Sequence, residues 1–154
     1  MHGDVIRLRP TTPADLDWVL MAEGDPDNRP YVTQWTRKQH EETLEHPDTQ
    51  HLIVESAAGG RPVGYVILAG LARPRDGVEL RRIVVTDKGK GYGRATLRRV
   101  KTMALNELHT RRLWLDVRAN NPATKRLYEQ EGFAVEGTDP DGLIILSIRR
   151  GDEA

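Results

Sequence analysis

"VTDKGKGYGRATL", Val85–Leu97, begins on the last residue of the run "ELRRIVV" and so continues its apolar end. Glycines stand at alternate positions, Gly89, Gly91 and Gly93, with Lys88, Lys90 and Arg94 among them. No acidic residue lies between Lys88 and Lys101. Leu97, Val100, Ala104 and Leu108 then recur with helical spacing, which predicts a helix starting near Gly91 or Gly93. A strand that runs through a glycine turn into a helix offers unpaired backbone N–H groups and the positive end of the helix dipole. Glycines lack a Cβ, so a ligand can approach that backbone closely. The combination predicts a phosphate or pyrophosphate ligand. Arg98 and Lys101, further along the helix, read as solvated charges on its exposed face.

Two nucleotide-binding patterns fail here. A phosphate loop of the G-x-x-x-x-G-K-[ST] kind needs a glycine at position 84 and Ser or Thr at 91, where Val84 and Gly91 stand. A dinucleotide fingerprint needs a third glycine at position 94, which is Arg94.

Upstream of the turn, "GVELRRIVV" is a strand whose alternation slips. Leu80 and Ile83 are both apolar, three residues apart, with Arg81 and Arg82 between them. A change of parity inside one strand predicts a β-bulge. Before it, "HLIVESA", a turn at "AGGR" and "PVGYVILAGL" read as a hairpin whose second strand is apolar on both faces, as a central strand is. "DVIRLRP" alternates as a first strand. Thr12-Pro13 caps a helix with Leu16, Val19 and Leu20 on its buried stripe, and "TRKQHEETLEH" forms a second helix from Thr36 to before Pro47. Downstream come a strand "RRLWLDV", a helix "NPATKRLYEQEG", a short strand near Phe133 and a final strand "GLIILSIRR". No repeat or linker interrupts this order, so the expectation is one mixed α/β domain spanning residues 1–154.

Composition removes other classes. Acidic and basic residues balance at 23 each, which gives no case for a nucleic-acid or membrane partner. The chain has no cysteine, hence no disulfide, thiolate nucleophile or cysteine metal site. His2, His40, His46, His51 and His109 are scattered without metal-ligand spacing, and the expectation is no metal. Ser56 and Ser147 lack a nucleophile-elbow setting. The N-terminus has no apolar signal segment, so a cytoplasmic protein is expected.

"ELRRIVVTDKGKGYGRATL" resembles the coenzyme A-binding core of the GNAT superfamily of N-acyltransferases. That signature is Arg or Gln, two residues, Gly, one residue, then Gly or Ala; Gly91 and Gly93 fit it, and Lys88 holds the first position. "NNPATKRLYEQEGF" is similar to a second segment of the family, with Thr124 where alanine is common. The two segments span roughly residues 60 to 135. The resemblance implies a mixed, mostly antiparallel sheet of about six or seven strands, splayed between strands 4 and 5 and flanked by about four helices.

It also implies acetyl-CoA as acyl donor, held by Ile83, Val84 and Val85, by Lys88, Gly89, Lys90, Gly91, Tyr92, Gly93, Arg94 and Ala95, and by Asn121, Thr124 and Tyr128. Tyr128 becomes the expected acid for the departing thiolate. Asn121, before Pro122, is equally a helix N-cap. Glu79, just before the bulge, is the expected base acting through water, with Asp116 as the second candidate. The oxyanion donor is expected to be a backbone N–H around Val85, in the splayed gap. Direct transfer through a tetrahedral intermediate follows. The acceptor pocket, between the first two helices, carries Tyr31 and Trp35 beside Asp25, Asp27, Glu41 and Glu42, which suits a cationic amine. A sensor of the same fold that binds acyl-CoA without turnover is the alternative. A homodimer is possible, with the apolar last strand "LIILSI" as its edge.

Overall fold

The computed structural model describes residues 5–150; His2 and Asp4 fall outside the described residues. β1 (Ile6–Pro10) leads through a 3₁₀ turn (Pro13–Asp15) into α1 (Leu16–Gly24), followed by α2 (Arg37–Glu45). Then come β2 (Thr49–Ser56), β3 (Pro62–Ala69), β4 (Val78–Val85), α3 (Tyr92–Lys101) and a π-wound extension (Thr102–Glu107). β5 (Arg112–Val117), α4 (Pro122–Gln130), β6 (Ala134–Thr138) and β7 (Ile144–Arg149) complete the order.

The strands form one seven-stranded sheet in the order β1-β2-β3-β4-β5-β7-β6. All neighbours are antiparallel except β4 and β5, which are parallel and pair only at Val78–Leu113 and Glu79–Trp114 before they diverge. The bulge lies where parity slips: Leu68 faces Leu80 and Ile67 faces Arg82, so Arg81 has no partner on β3. Leu80 and Ile83 therefore share one face, and Arg82 and Val84 the other.

Each face of the sheet is covered. α1 buries Leu16, Val19 and Ala22 against Ile53, Tyr65 and Ile67, and Leu44 of α2 packs against the same cluster. α3 buries Leu97 and Val100 against Leu52, Val66 and Leu68, and Tyr128 of α4 joins the same cluster with Phe133 and Leu115. Leu20, expected on the buried stripe of α1, is half-buried, because the helix proper starts only at Leu16 and turns Ala22 and Glu23 inward. α2 is closed as expected by Thr36, whose Oγ1 accepts from Gln39 N–H at 3.2 Å while Thr36 N–H donates to Gln39 Oε1 at 2.8 Å. One expectation is corrected: β7 is not an edge. It lies between β5 and β6, so its backbone is paired on both sides, and β6 closes the sheet.

Candidate active site

The divergence of β4 and β5 opens a cleft of about 930 Å³. Along one side run Ile83, Val84, Val85, Lys88, Gly89 and the start of α3, and along the other Asp116, Val117, Asn121, Thr124 and Tyr128. The segment between α1 and α2 covers it with Asp27, Asn28, Tyr31, Val32 and Thr33.

The glycine turn has the conformation its composition requires. Gly89 and Gly91 adopt φ of 84° and 82°, in the left-handed region where a Cβ costs roughly 1–2 kcal/mol. Gly91 is the N-cap of α3 and offers no side chain to cap it. The first intrahelical bond is Ala95 N–H to Gly91 O at 3.1 Å, so the N–H groups of Tyr92, Gly93 and Arg94 lack helical partners. All three residues line the cleft.

The bulged strand supplies a further donor. Thr86 N–H donates to Val63 O of β3 at 2.8 Å. Neighbouring amides along a strand point to opposite sides, so Val85 N–H faces away from β3, into the gap that β5 has left.

Tyr128 is 4% exposed yet lines the cleft, with its ring 5.9 Å from that of Phe133. Burial raises its hydroxyl above the ordinary phenol range, and the nearby charge of Asp116 raises it further. The group keeps its proton at neutral pH and can donate it. Asn121 acts as the N-cap of α4, its Oδ1 accepting from Thr124 N–H at 3.4 Å, and it also lines the cleft.

The two carboxylates differ in position. Asp116 lines the cleft; burial raises its carboxyl, with a further push from Asp139 and partial relief from Arg118. Glu79 is half-buried and is not among the lining residues; its Oε1 accepts from Arg81 Nη2 at 3.0 Å. Burial raises Glu79 too, against a lowering contribution from Arg81.

Several expected residues sit elsewhere. Lys90 and Ala95 do not line the cleft: Lys90 is exposed on the turn, and Ala95, in α3, packs against the core. Arg94 lines it, but its guanidinium is bound by Glu131 Oε2 at 2.5 Å and Gln130 Oε1 at 2.7 Å, leaving its backbone N–H for a ligand. Arg98 and Lys101, read as solvated, pair with the same buried Glu131 and so sew α3 to α4. Trp35 does not line the cleft. It packs behind the wall, 5.0 Å from the ring of His40, with Arg82 Cζ 4.4 Å over its face. Asp25, Glu41 and Glu42 are not lining residues either, and Arg81, Arg82 and Arg118 take their place.

Behind Arg82 lies a polar network that sequence reasoning missed. Glu23 is 1% exposed and accepts from Tyr65 hydroxyl at 2.6 Å, from Trp35 N–H at 3.0 Å and from His40 Nε2. Burial pushes the Glu23 carboxyl up, but the bonds from His40, Tyr65 and Trp35 outweigh it and hold it below the usual range. His40 Nδ1 meets His51 Nε2 at 3.1 Å, and His51 Nδ1 meets Thr11 Oγ1 at 2.8 Å. Burial first, then the neighbouring His40, lowers His51 to about 4. Arg82 Nε donates to Tyr65 hydroxyl at 3.1 Å, so donors converge on Glu23 from both ends. The histidines that look scattered in the chain meet because α2 and β2 pack together. The available signal was a polar or charged residue on an otherwise buried face, Glu23 beside Ala22 and His51 before Leu52.

The chain's likenesses agree with this geometry. The family model described as acetyltransferase (GNAT) domain matches residues 6–134. No curated protein matches the chain. Among solved structures, spermidine N-acetyltransferase from Vibrio cholerae in complex with CoA and spermine superposes with a TM-score of 0.81 at 19% identity, covering 96% of both chains. A single-residue mutant of that enzyme gives 0.78 at 21% identity, covering 96% of this chain and 95% of that one. A dodecameric structure of it gives 0.76 at 20%, with the same coverage.

Proposed function

The chain belongs to the acetyltransferase (GNAT) domain family, and from that premise we infer that its cleft transfers an acetyl group from acetyl-CoA directly to a primary amine. The observation that carries this reading is the coincidence, in one cleft, of unpaired N–H groups at the start of α3 with a gap between β4 and β5 that has lost its strand pairing. The first suits a pyrophosphate. The second suits an extended arm laid between the strands, with unpaired backbone to meet it.

The residues fit the donor. The backbone of Tyr92, Gly93 and Arg94 and the side chain of Lys88 hold the phosphates; Asn121 and Thr124 flank the arm. Acetyl-CoA supplies the activated acyl carbon when bound. Val85 N–H, aimed into the gap, stabilises the oxyanion as negative charge develops on the carbonyl oxygen. Tyr128 donates its proton to the departing thiolate.

The amine must first lose a proton, which costs about 4–5 kcal/mol at neutral pH for a lysine-like group. Asp116, with its raised affinity for protons and its place in the cleft wall, takes that proton. Glu79, tied to Arg81 outside the cleft, acts at most through water.

The test is release of coenzyme A thiol, with acetyl-CoA and a panel of primary amines. A thiol-reactive dye meets no protein background, since the chain has no cysteine. Amine-dependent release is expected. Tyr128→Phe is expected to lower kcat by about 10²- to 10⁴-fold while acetyl-CoA binding holds. Equal losses in binding and turnover would remove Tyr128 from the chemistry, and absence of both release and binding would overturn the reading. Asp116→Asn should lower kcat more than Glu79→Gln; the reverse order returns the base to Glu79.

A further inference from the structure

The two strands that part to form the cleft each send an arginine back across it to the same residue. From β4, Arg82 Nη2 donates to Thr33 O at 2.6 Å. From the end of β5, Arg118 Nη2 donates to Thr33 Oγ1 at 2.7 Å, and its Nη1 donates to Pro30 O at 3.2 Å. Both side chains line the cleft. Two guanidiniums are thus gathered around one threonine whose two contacting atoms are neutral.

Their charges are balanced differently. Arg82 has a counter-ion behind the wall, with its Nη2 3.4 Å from the carboxylate of Glu23, which is 1% exposed. Arg118 hydrogen-bonds only neutral oxygens, and among the described residues it joins no ion pair. A guanidinium carries five N–H donors. The hydrogen bonds above use two at Arg118, and the contacts to Tyr65, Thr33 and Glu23 occupy at most three at Arg82. Each therefore retains donors for a ligand. Such donors, fixed in a partly buried cleft, match carboxylate and phosphate oxygens better than any neutral group.

Asp116, near the end of β5, stands two residues before Arg118, which lies just beyond the strand, and both line the cleft. The acceptor side therefore offers, beside the cleft acids Asp27 and Asp141, the Asp116 carboxylate and a guanidinium that pairs directly with none of them. A polyamine would use the first and be repelled by the second.

Resting on the acetyltransferase reading above, we propose that Arg118, with Arg82, forms an anion subsite, so that the amine acceptor also carries a carboxylate or phosphate group close to its amine. The amine end lies toward Asp116 and the anionic end toward Arg118. Glu23, Tyr65 and Trp35 fix Arg82 from behind and so position its share of the subsite.

The experiment compares four primary amines of matched length with acetyl-CoA: an uncharged alkylamine, a diamine, an amino carboxylate and an amino phosphate. Thiol release gives kcat/KM for each. The expected result is a preference of about tenfold or more for an anionic acceptor over the uncharged one, the size a charge-assisted hydrogen bond confers. The carboxylate and phosphate arms decide which source supplies the group. Arg118→Gln should bring that ratio close to one, through KM, and Arg118→Lys should recover part of it. A best rate with the diamine or the uncharged amine overturns the subsite, as does an Arg118→Gln variant that lowers all four alike. A second readout is the melting temperature of the CoA-loaded protein, which an anionic acceptor should raise and Arg118→Gln should abolish. If CoA raises the melting temperature but no anionic amine adds to it or reacts, the subsite falls and the acetyltransferase reading stands. If CoA itself has no effect, that reading falls first.

Discussion

The two halves of the cleft are built on different plans. The donor half is backbone: left-handed glycines, an uncapped helix start and an amide turned into a gap. Its phosphate contacts come from residues close together in the chain, while Asn121, Thr124 and Tyr128 line the opposite side. The acceptor half is side chain, with Arg82 anchored 49 residues away on Thr33 and Arg118 anchored 85 residues away on the same residue. In the first half the glycine turn needs only local conformation to be right, and the gap beside it needs β4 and β5 to pair at their starts. The second needs the α1–α2 segment, β4 and β5 to be packed correctly at once, with the Glu23 network holding Arg82.

The largest expected effect breaks the acceptor half alone. Glu23→Ala leaves Tyr65 hydroxyl, Trp35 N–H, His40 and Arg82 without their shared carboxylate. Removing one partner of a buried ionic network costs about 3–5 kcal/mol. Urea unfolding should register that loss, and the remaining folded protein should still bind acetyl-CoA with little change. Acetyl-CoA affinity falling in step with stability would show the halves to be one unit.

A somewhat smaller effect follows from His51. Its folded value near 4 lies below the ordinary 6.5, so the unfolded chain binds the extra proton between those values. Stability from this residue is complete above about pH 6.5 and is lost as pH falls toward 4, a change of about 3 kcal/mol. A melting-temperature profile should decline across that window, and His51→Gln should flatten the decline. An unchanged slope in the variant would assign the acid sensitivity to other groups.

The smallest effect on stability sharpens the comparison from the donor side. Gly91→Val forces a branched residue to φ of 82° at a roughly 1–2 kcal/mol cost and sets a side chain where a phosphate is to lie. No described atom lies within 4 Å of that Cβ, so the fold tolerates it. Calorimetry should show weaker acetyl-CoA binding with a modest drop in melting temperature. Full affinity in the variant would mean that the turn does not carry the phosphates.

What was legible follows the same division. The element order, the bulge at Arg81, the start of α3 and the N-cap at Asn121 are properties of short windows, where periodicity, turn chemistry and capping act within a few residues. Of the expected acceptor wall, Tyr31 and Asp27 line the cleft and Trp35, Asp25, Glu41 and Glu42 do not, because exposure and side-chain direction depend on what packs against them. Trp35 turned inward to Arg82 and His40, and Arg94 turned to Glu131.

By itself the sequence determined the strand–glycine–helix unit, the bulge and the family whose motifs these carry, because each is encoded by residues close together along the chain. Only the tertiary structure decided that β7 is an interior strand, that His40 and His51 meet over Glu23, and that Arg82 and Arg118 share Thr33. Those pairings join residues far apart in the chain, where charge and hydrogen bonding select a partner only after the sheet and helices have set which groups come within reach.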